Sequence, residues 1–143
     1  MTDISYRVGN DVPLDVVKAL YEASTLGERR PINDPGTLAA MMQHANLVVT
    51  AWDGNELVGI ARTLTDFVYV GYMSDLAVHV RCQRQGIGVG LIEQTRSAMG
   101  PKSKLILLAA PAAVDYYPRI GFKHHPHAWM LSAEDPFPAK GST

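Results

Sequence analysis

Residues 83–90, Gln83-Arg84-Gln85-Gly86-Ile87-Gly88-Val89-Gly90, are where this 143-residue chain most plainly invites a ligand. An apolar, β-rich run from Tyr72 to Val80 precedes them. Ile87, Leu91 and Ala98 follow on one helical face, flanked by Ile92 and Met99, so the stretch reads as strand, glycine turn, helix. The first turn of a helix has backbone N–H groups without partners and roughly half a positive charge, a combination that attracts phosphate. Glycines at that point remove the side chains that would hold a bulky anion away. Each charge-assisted hydrogen bond there contributes about 1.5–3 kcal/mol, so a few amides can hold a pyrophosphate. Arg81 and Arg84 add positive charge nearby. The turn lacks the third glycine and downstream acid of a dinucleotide fingerprint and the Gly-Lys-Ser/Thr of a triphosphate loop. A tight turn with no ligand is the plainer alternative.

Other side chains could also do chemistry. On the strand before the turn, strict alternation puts Tyr72 and Ser74 on one face and Asp75 on the other, unless a bulge intervenes. His79 ends the same strand, where a lone histidine is usually a core or rim residue. His125 and His127 share a strand face beside His124, but no carboxylate or cysteine completes a metal set, so no metal is expected. Cys82 is the single cysteine; it excludes an internal disulfide and fits a reducing compartment.

The elements that must position these residues follow from pattern. With 47% apolar residues, a chain of this length buries about two thirds of its unfolded surface, and one domain is expected over residues 1–132, with a weakly anchored tail over 133–143. Ile4–Val8 alternates as a strand. Asn10 and Asp11 are cap candidates, Pro13 suits a first turn, and Leu14, Val17, Leu20 and Tyr21 give a first helix. After a polar connection, Asp34-Pro35 opens a second helix with Leu38, Met41 and Met42 inward. Leu47–Trp52, the Asp53-Gly54-Asn55 turn and Leu57–Leu64 form a hairpin, and Thr65-Asp66 turns into the strand that reaches Val80. Gly100-Pro101 stops the central helix, Lys104–Ala109 is a buried strand, Ala112–Tyr116 a short helix, and Phe122–Leu131 a last extended segment. The net charge of −1 offers no basic field for nucleic acid, and no apolar run reaches the roughly 20 residues of a membrane span. A cytoplasmic enzyme is expected, with a homodimer admitted as an assembly.

Gln83-Arg84-Gln85-Gly86-Ile87-Gly88 resembles the Gln/Arg-x-x-Gly-x-Gly/Ala signature of the GNAT superfamily of N-acetyltransferases. Tyr116-Tyr117-Pro118-Arg119-Ile120-Gly121-Phe122 resembles that family's aromatic-Tyr-x-x-x-Gly-Phe segment. The resemblance covers roughly Leu47 to Leu131. It implies an α+β fold with a mixed, mostly antiparallel sheet, one splayed parallel strand pair and about four flanking helices. It also implies acetyl-CoA as cosubstrate, with no metal, and direct attack by a primary amine of a small molecule or peptide, without a covalent enzyme intermediate. The pyrophosphate would lie on residues 83–90, the pantetheine arm along Leu76, Ala77, Val78 and Val80, with Tyr116 packed beside it. Tyr117 would protonate the departing sulfur; Pro118 directly after it biases Tyr117 away from helical angles. Ala110-Pro111 stands where many members carry a cofactor-binding asparagine. The glutamate base of histone-type members falls at Tyr72, which leaves Asp75, through water, as the candidate base. Tyr21, Arg29, Arg30, Asp66 and Tyr72 are the candidate acceptor contacts, with the arginines suited to a carboxylate or phosphate. A domain that binds or senses coenzyme A without catalysis is the alternative, supported by that missing glutamate and by Pro118. The acceptor is not legible, because loops build its pocket.

Overall fold

The structure is a computed structural model that describes residues 3–138. Residues 139–143 of the expected tail lie outside the described residues. The chain divides into two compact units, one running to Leu108 and one beginning at Ala109.

The first unit holds five strands and three helices in the order β1 (Ile4–Val8), α1 (Leu14–Ala23), α2 (Pro35–Gln43), β2 (Leu47–Asp53), β3 (Glu56–Thr65), β4 (Val70–Val78), α3 (Ile87–Met99) and β5 (Lys104–Leu107). Short 3-10 turns occupy Leu26–Arg29 and Val80–Cys82. The strands form one sheet in sequence order, antiparallel except for the β4–β5 pair, which is parallel. This mixed sheet is the one expected from sequence.

Local chemistry sets the boundaries. The Asp34 side chain accepts from the Thr37 amide at 3.2 Å and caps α2, with Pro35 in its first turn. Asn10 does not cap α1. Pro13 stands at that helix's N-cap, and Asn10 donates instead to the Met42 carbonyl in the last turn of α2 and to the Ala45 carbonyl just past it, tying the approach to α1 to the end of α2. Gly54 takes a φ of 60° in the β2–β3 turn, the conformation its Asp-Gly context foretold.

Two cores sandwich the sheet. On one face Val17, Leu20 and Tyr21 of α1 and Leu38 and Met42 of α2 pack with Val48, Leu57, Ile60 and Ala77. On the other, α3 lies so close that a Cβ added at Gly59 would stand 3.0 Å from Leu91 Cδ1 and 3.2 Å from Ile87 Cγ2. Full burial of each such aliphatic side chain stabilises the fold by about 1.5–3 kcal/mol.

β4 changes allegiance along its length. Met73 pairs with Thr63 and Asp75 with Arg62, so Ser74 is an extra residue with no partner on β3. A β-bulge of this kind turns the strand over. Gly71 faces α3, where an added Cβ would meet Met99, whereas Asp75 and Ala77, of the same parity, face α1 and α2. Strict alternation is therefore broken at Ser74.

The second unit holds a 3-10 turn at Pro111–Ala113 and a four-residue helix α4 (Tyr116–Arg119). Two expectations are corrected here. Phe122–Leu131 forms no strand. Tyr117 is helical despite Pro118, because the proline's missing N–H falls in a first turn, where no helical acceptor awaits it.

Candidate functional site

Two features of the first unit converge at the carboxyl end of β4. The first is an open strand edge. β5 pairs with β4 from Val70 against Lys104 to Met73 against Leu107 and then ends, while β4 continues to Val78. Residues 74–78 consequently have no β5 partner, and this is the splay foreseen for a strand pair that admits a ligand arm.

The second is the mouth of α3. Gly86 is its N-cap, with a left-handed φ of 81° and no side-chain cap, and an added Cβ there would meet nothing within 4 Å. The amides of Ile87, Gly88 and Val89 have no helix-internal acceptor by geometry, whereas the Gly90 amide already donates to Gly86 O at 3.0 Å. Gly90 serves packing: a Cβ there would stand 2.0 Å from Tyr6 Oη, so β1 reaches the helix only because the position is bare. The open cradle and its amides fit a pyrophosphate.

The connection between them alters three of the residues named above. β4 ends at Val78, and Val80 lies in the 3-10 turn rather than on the strand. The Val78 carbonyl accepts from Gln83 Nε2 at 3.2 Å, so Gln83 fastens the turn to the strand. Arg81 pairs with Glu56 and, at 3.6 Å, with Asp53, which commits its charge to the hairpin. Arg84, in a left-handed conformation with φ 67°, and Gln85 are exposed beside Gly86.

Below the splay sits a buried charge cluster. Asp75, with no exposed side-chain surface, accepts from Arg30 Nε, Arg62 Nε and Tyr21 Oη, each at 2.6 Å. Arg62 also donates to Ser74 Oγ and to the Met41 carbonyl, while Arg30 donates to the Ser74 carbonyl at 2.7 Å. Burial alone would push the Asp75 carboxyl up, but donation from Arg62, Tyr21 and Arg30 outweighs it and holds the group below the usual carboxylate range. Burial first, and the Asp75 charge second, push the Tyr21 hydroxyl far above its usual range. The cluster therefore stays ionised as two guanidinium groups around one carboxylate.

Of the candidate acceptor contacts, Tyr21 and Arg30 are thus drawn to Asp75, and Tyr72 lies exposed on the same face of β4. Arg29 is exposed on its 3-10 turn. Asp66 caps the β3–β4 turn, its Oδ1 accepting from the Val68, Tyr69 and Val70 amides, and these bonds lower its pKa. Arg62 was not singled out in the sequence. The one charged residue in the mostly apolar Leu57–Leu64 run was the available signal, since a buried arginine requires a partner.

In the second unit, the Tyr117 ring meets Tyr116 and Phe122 edge-on, both at 5.3 Å between centroids, and its carbonyl accepts from the Phe122 amide at 3.1 Å. His125 and His127 are exposed and stack edge-on at 5.7 Å. Among the described residues no three His, Cys, Asp or Glu side chains are arranged to hold a metal ion, and no helix is long and apolar enough to cross a membrane.

Comparison with known proteins bears on this arrangement. The acetyltransferase (GNAT) domain family matches residues 28–128. No protein of curated function matches. Among solved structures, a GNAT-family acetyltransferase from Streptococcus pneumoniae TIGR4 is 24% identical, with 90% of this chain and 98% of that one aligned at a TM-score of 0.69. An aminoglycoside acetyltransferase from an uncultured soil metagenomic sample, solved with sisomicin, is 24% identical over 96% and 97% of the two chains, at a TM-score of 0.65. An aminoglycoside N-acetyltransferase solved with coenzyme A is 13% identical over 94% and 97%, at a TM-score of 0.70.

Proposed function

The chain belongs to the GNAT acetyltransferase family, and from that we propose that it transfers an acetyl group from acetyl-CoA to a primary amine of a small molecule or peptide, by direct attack. The observation that carries this reading is the uncapped, sterically open mouth of α3 at the end of a strand that β5 leaves unpaired beyond Met73. Amides of Ile87, Gly88 and Val89 hold the pyrophosphate, with Gln83, Arg84 and Gln85 around it and Gly86 leaving the space. Leu76 and Ala77 offer backbone groups to the pantetheine arm, and Val78 does so once Gln83 releases its carbonyl. When bound, the cosubstrate supplies an activated thioester carbonyl.

The remaining tasks fall to side chains. Tyr117 gives its hydroxyl proton to the departing sulfur, a role supported by its place in the Tyr-x-x-x-Gly-Phe segment, with Tyr116 packing beside the arm. Asp75 is better suited to fixing the site than to taking a proton, because two arginines and a tyrosine occupy its oxygens. The ammonium proton then leaves to solvent water. That same occupation favours the second reading, a coenzyme A binding domain without turnover.

Calorimetry with acetyl-CoA and a thiol-release assay over a broad amine panel separate the two. Acetyl transfer requires tight binding that Gly86→Val weakens at least about tenfold, together with amine-dependent thiol release. Binding without amine-dependent release leaves the sensor reading, and no binding removes both. Tyr117→Phe is expected to lower kcat by about 10²–10⁴. An unchanged kcat would move the acid role to water.

A further inference from the structure

We propose that the acceptor is a monoamine on an apolar body, an aromatic or aliphatic primary amine without a second cationic centre, seated on Leu64, Tyr72 and Ile106. The inference rests on the acetyl-transfer reading and names the substrate class of that site. Leu64 stands opposite Tyr72 in the antiparallel register and Tyr72 opposite Ile106 in the parallel one, so the three form one row across β3, β4 and β5. They are 42%, 37% and 47% exposed. Single exposed apolar residues are ordinary, but a contiguous row on a sheet face marks a binding surface.

Position ties the row to the reaction. Tyr72 faces away from Gly71 and α3, on the side of the sheet that carries Asp75. The next pair, Met73 with Leu107, is the last before the strands part. An apolar body on this row would therefore present its amine at the start of the unpaired edge along which the acyl arm lies.

Charge excludes polycations. A second ammonium beside the row needs a carboxylate of its own, and the one that shares this face of β4, Asp75, is already held by two arginines. The Asp75 cluster leaves one positive charge in excess beside the row, with Arg30 partly exposed, and that excess repels a second ammonium.

The test uses the full chain in the thiol-release assay, with ethylamine to hexylamine, phenethylamine, spermine and sisomicin as acceptors. KM is expected to fall about two- to fourfold per added methylene, with phenethylamine preferred to spermine and sisomicin by about tenfold or more in kcat/KM. Leu64→Asp and Ile106→Asp should each raise KM for phenethylamine about tenfold and leave acetyl-CoA affinity unchanged by calorimetry. A KM independent of chain length, or a preference for sisomicin, overturns the proposal. So do variants that split a dimer in sedimentation while KM stays constant, which would give the row to a second copy of the chain. Calorimetric binding of N-acetylphenethylamine to the protein with coenzyme A needs no turnover. Binding lost in the Leu64→Asp variant supports the seat even if no amine is acetylated, a result that would sink only the acetyl-transfer reading; no binding to the parent protein refutes the seat itself.

Discussion

Replacing Asp75 by asparagine would leave Arg30 and Arg62 facing a neutral amide inside the fold. Breaking a buried ion pair from one side costs about 3–5 kcal/mol, because the remaining charge is uncompensated. Urea denaturation should show that loss as a lower midpoint with little change in slope. Tyr21→Phe removes one donor from the same carboxylate and should cost about 1–3 kcal/mol. The cluster also sets an acid limit. Asp75 has a folded pKa below its unfolded value of about 4, so its contribution is complete above that value and disappears as pH falls through the folded pKa. Stability measured from pH 6 to pH 2 should therefore drop below about pH 4, and Asp75→Asn should flatten that part of the profile.

Among the elements, α3 does two jobs with glycines of two kinds. Gly86 is needed for its left-handed φ and its open space; Gly90 is needed because Tyr6 of β1 stands where a side chain would go. Gly90→Ala is expected to destabilise the fold by about 1–3 kcal/mol through overpacking. Tyr6→Leu in the same chain should recover part of that, and a double-mutant cycle by thermal denaturation measures the coupling. Additive effects would mean that the helix moves as a body instead of pressing on Tyr6. Gly86→Ala meets no neighbour and should cost about 1 kcal/mol in stability, while reducing acetyl-CoA affinity by more than that strain accounts for.

For the molecule as a whole, acetyl-CoA at a hundred times its Kd should add about 2.7 kcal/mol of stability and raise Tm by roughly 5–12 °C in scanning calorimetry, with Gly86→Val abolishing the shift. Much of this architecture was legible in the residues. Asp34-Pro35, Asp53-Gly54 and Gly86 carry their own turn and cap chemistry, and the period of Leu91, Ala98 and Met99 announces α3. What was not legible depended on contacts distant in sequence. Arg30 and Arg62 meet Asp75 across 45 and 13 positions, so nothing local distinguishes a clamped carboxylate from a proton acceptor. Asn10 reached α2 instead of the helix it precedes. Phe122–Leu131 had the composition of a strand but gained no partner. Ser74 is instructive for a different reason. Without that extra position Asp75 would follow Met73 in plain alternation and still stand opposite Arg62, so what the bulge adds is the Ser74 carbonyl and hydroxyl that Arg30 and Arg62 bind. Loss of position 74 should accordingly loosen the two guanidinium groups and leave the carboxylate where it stands, as a frame still closes after a peg is drawn from it.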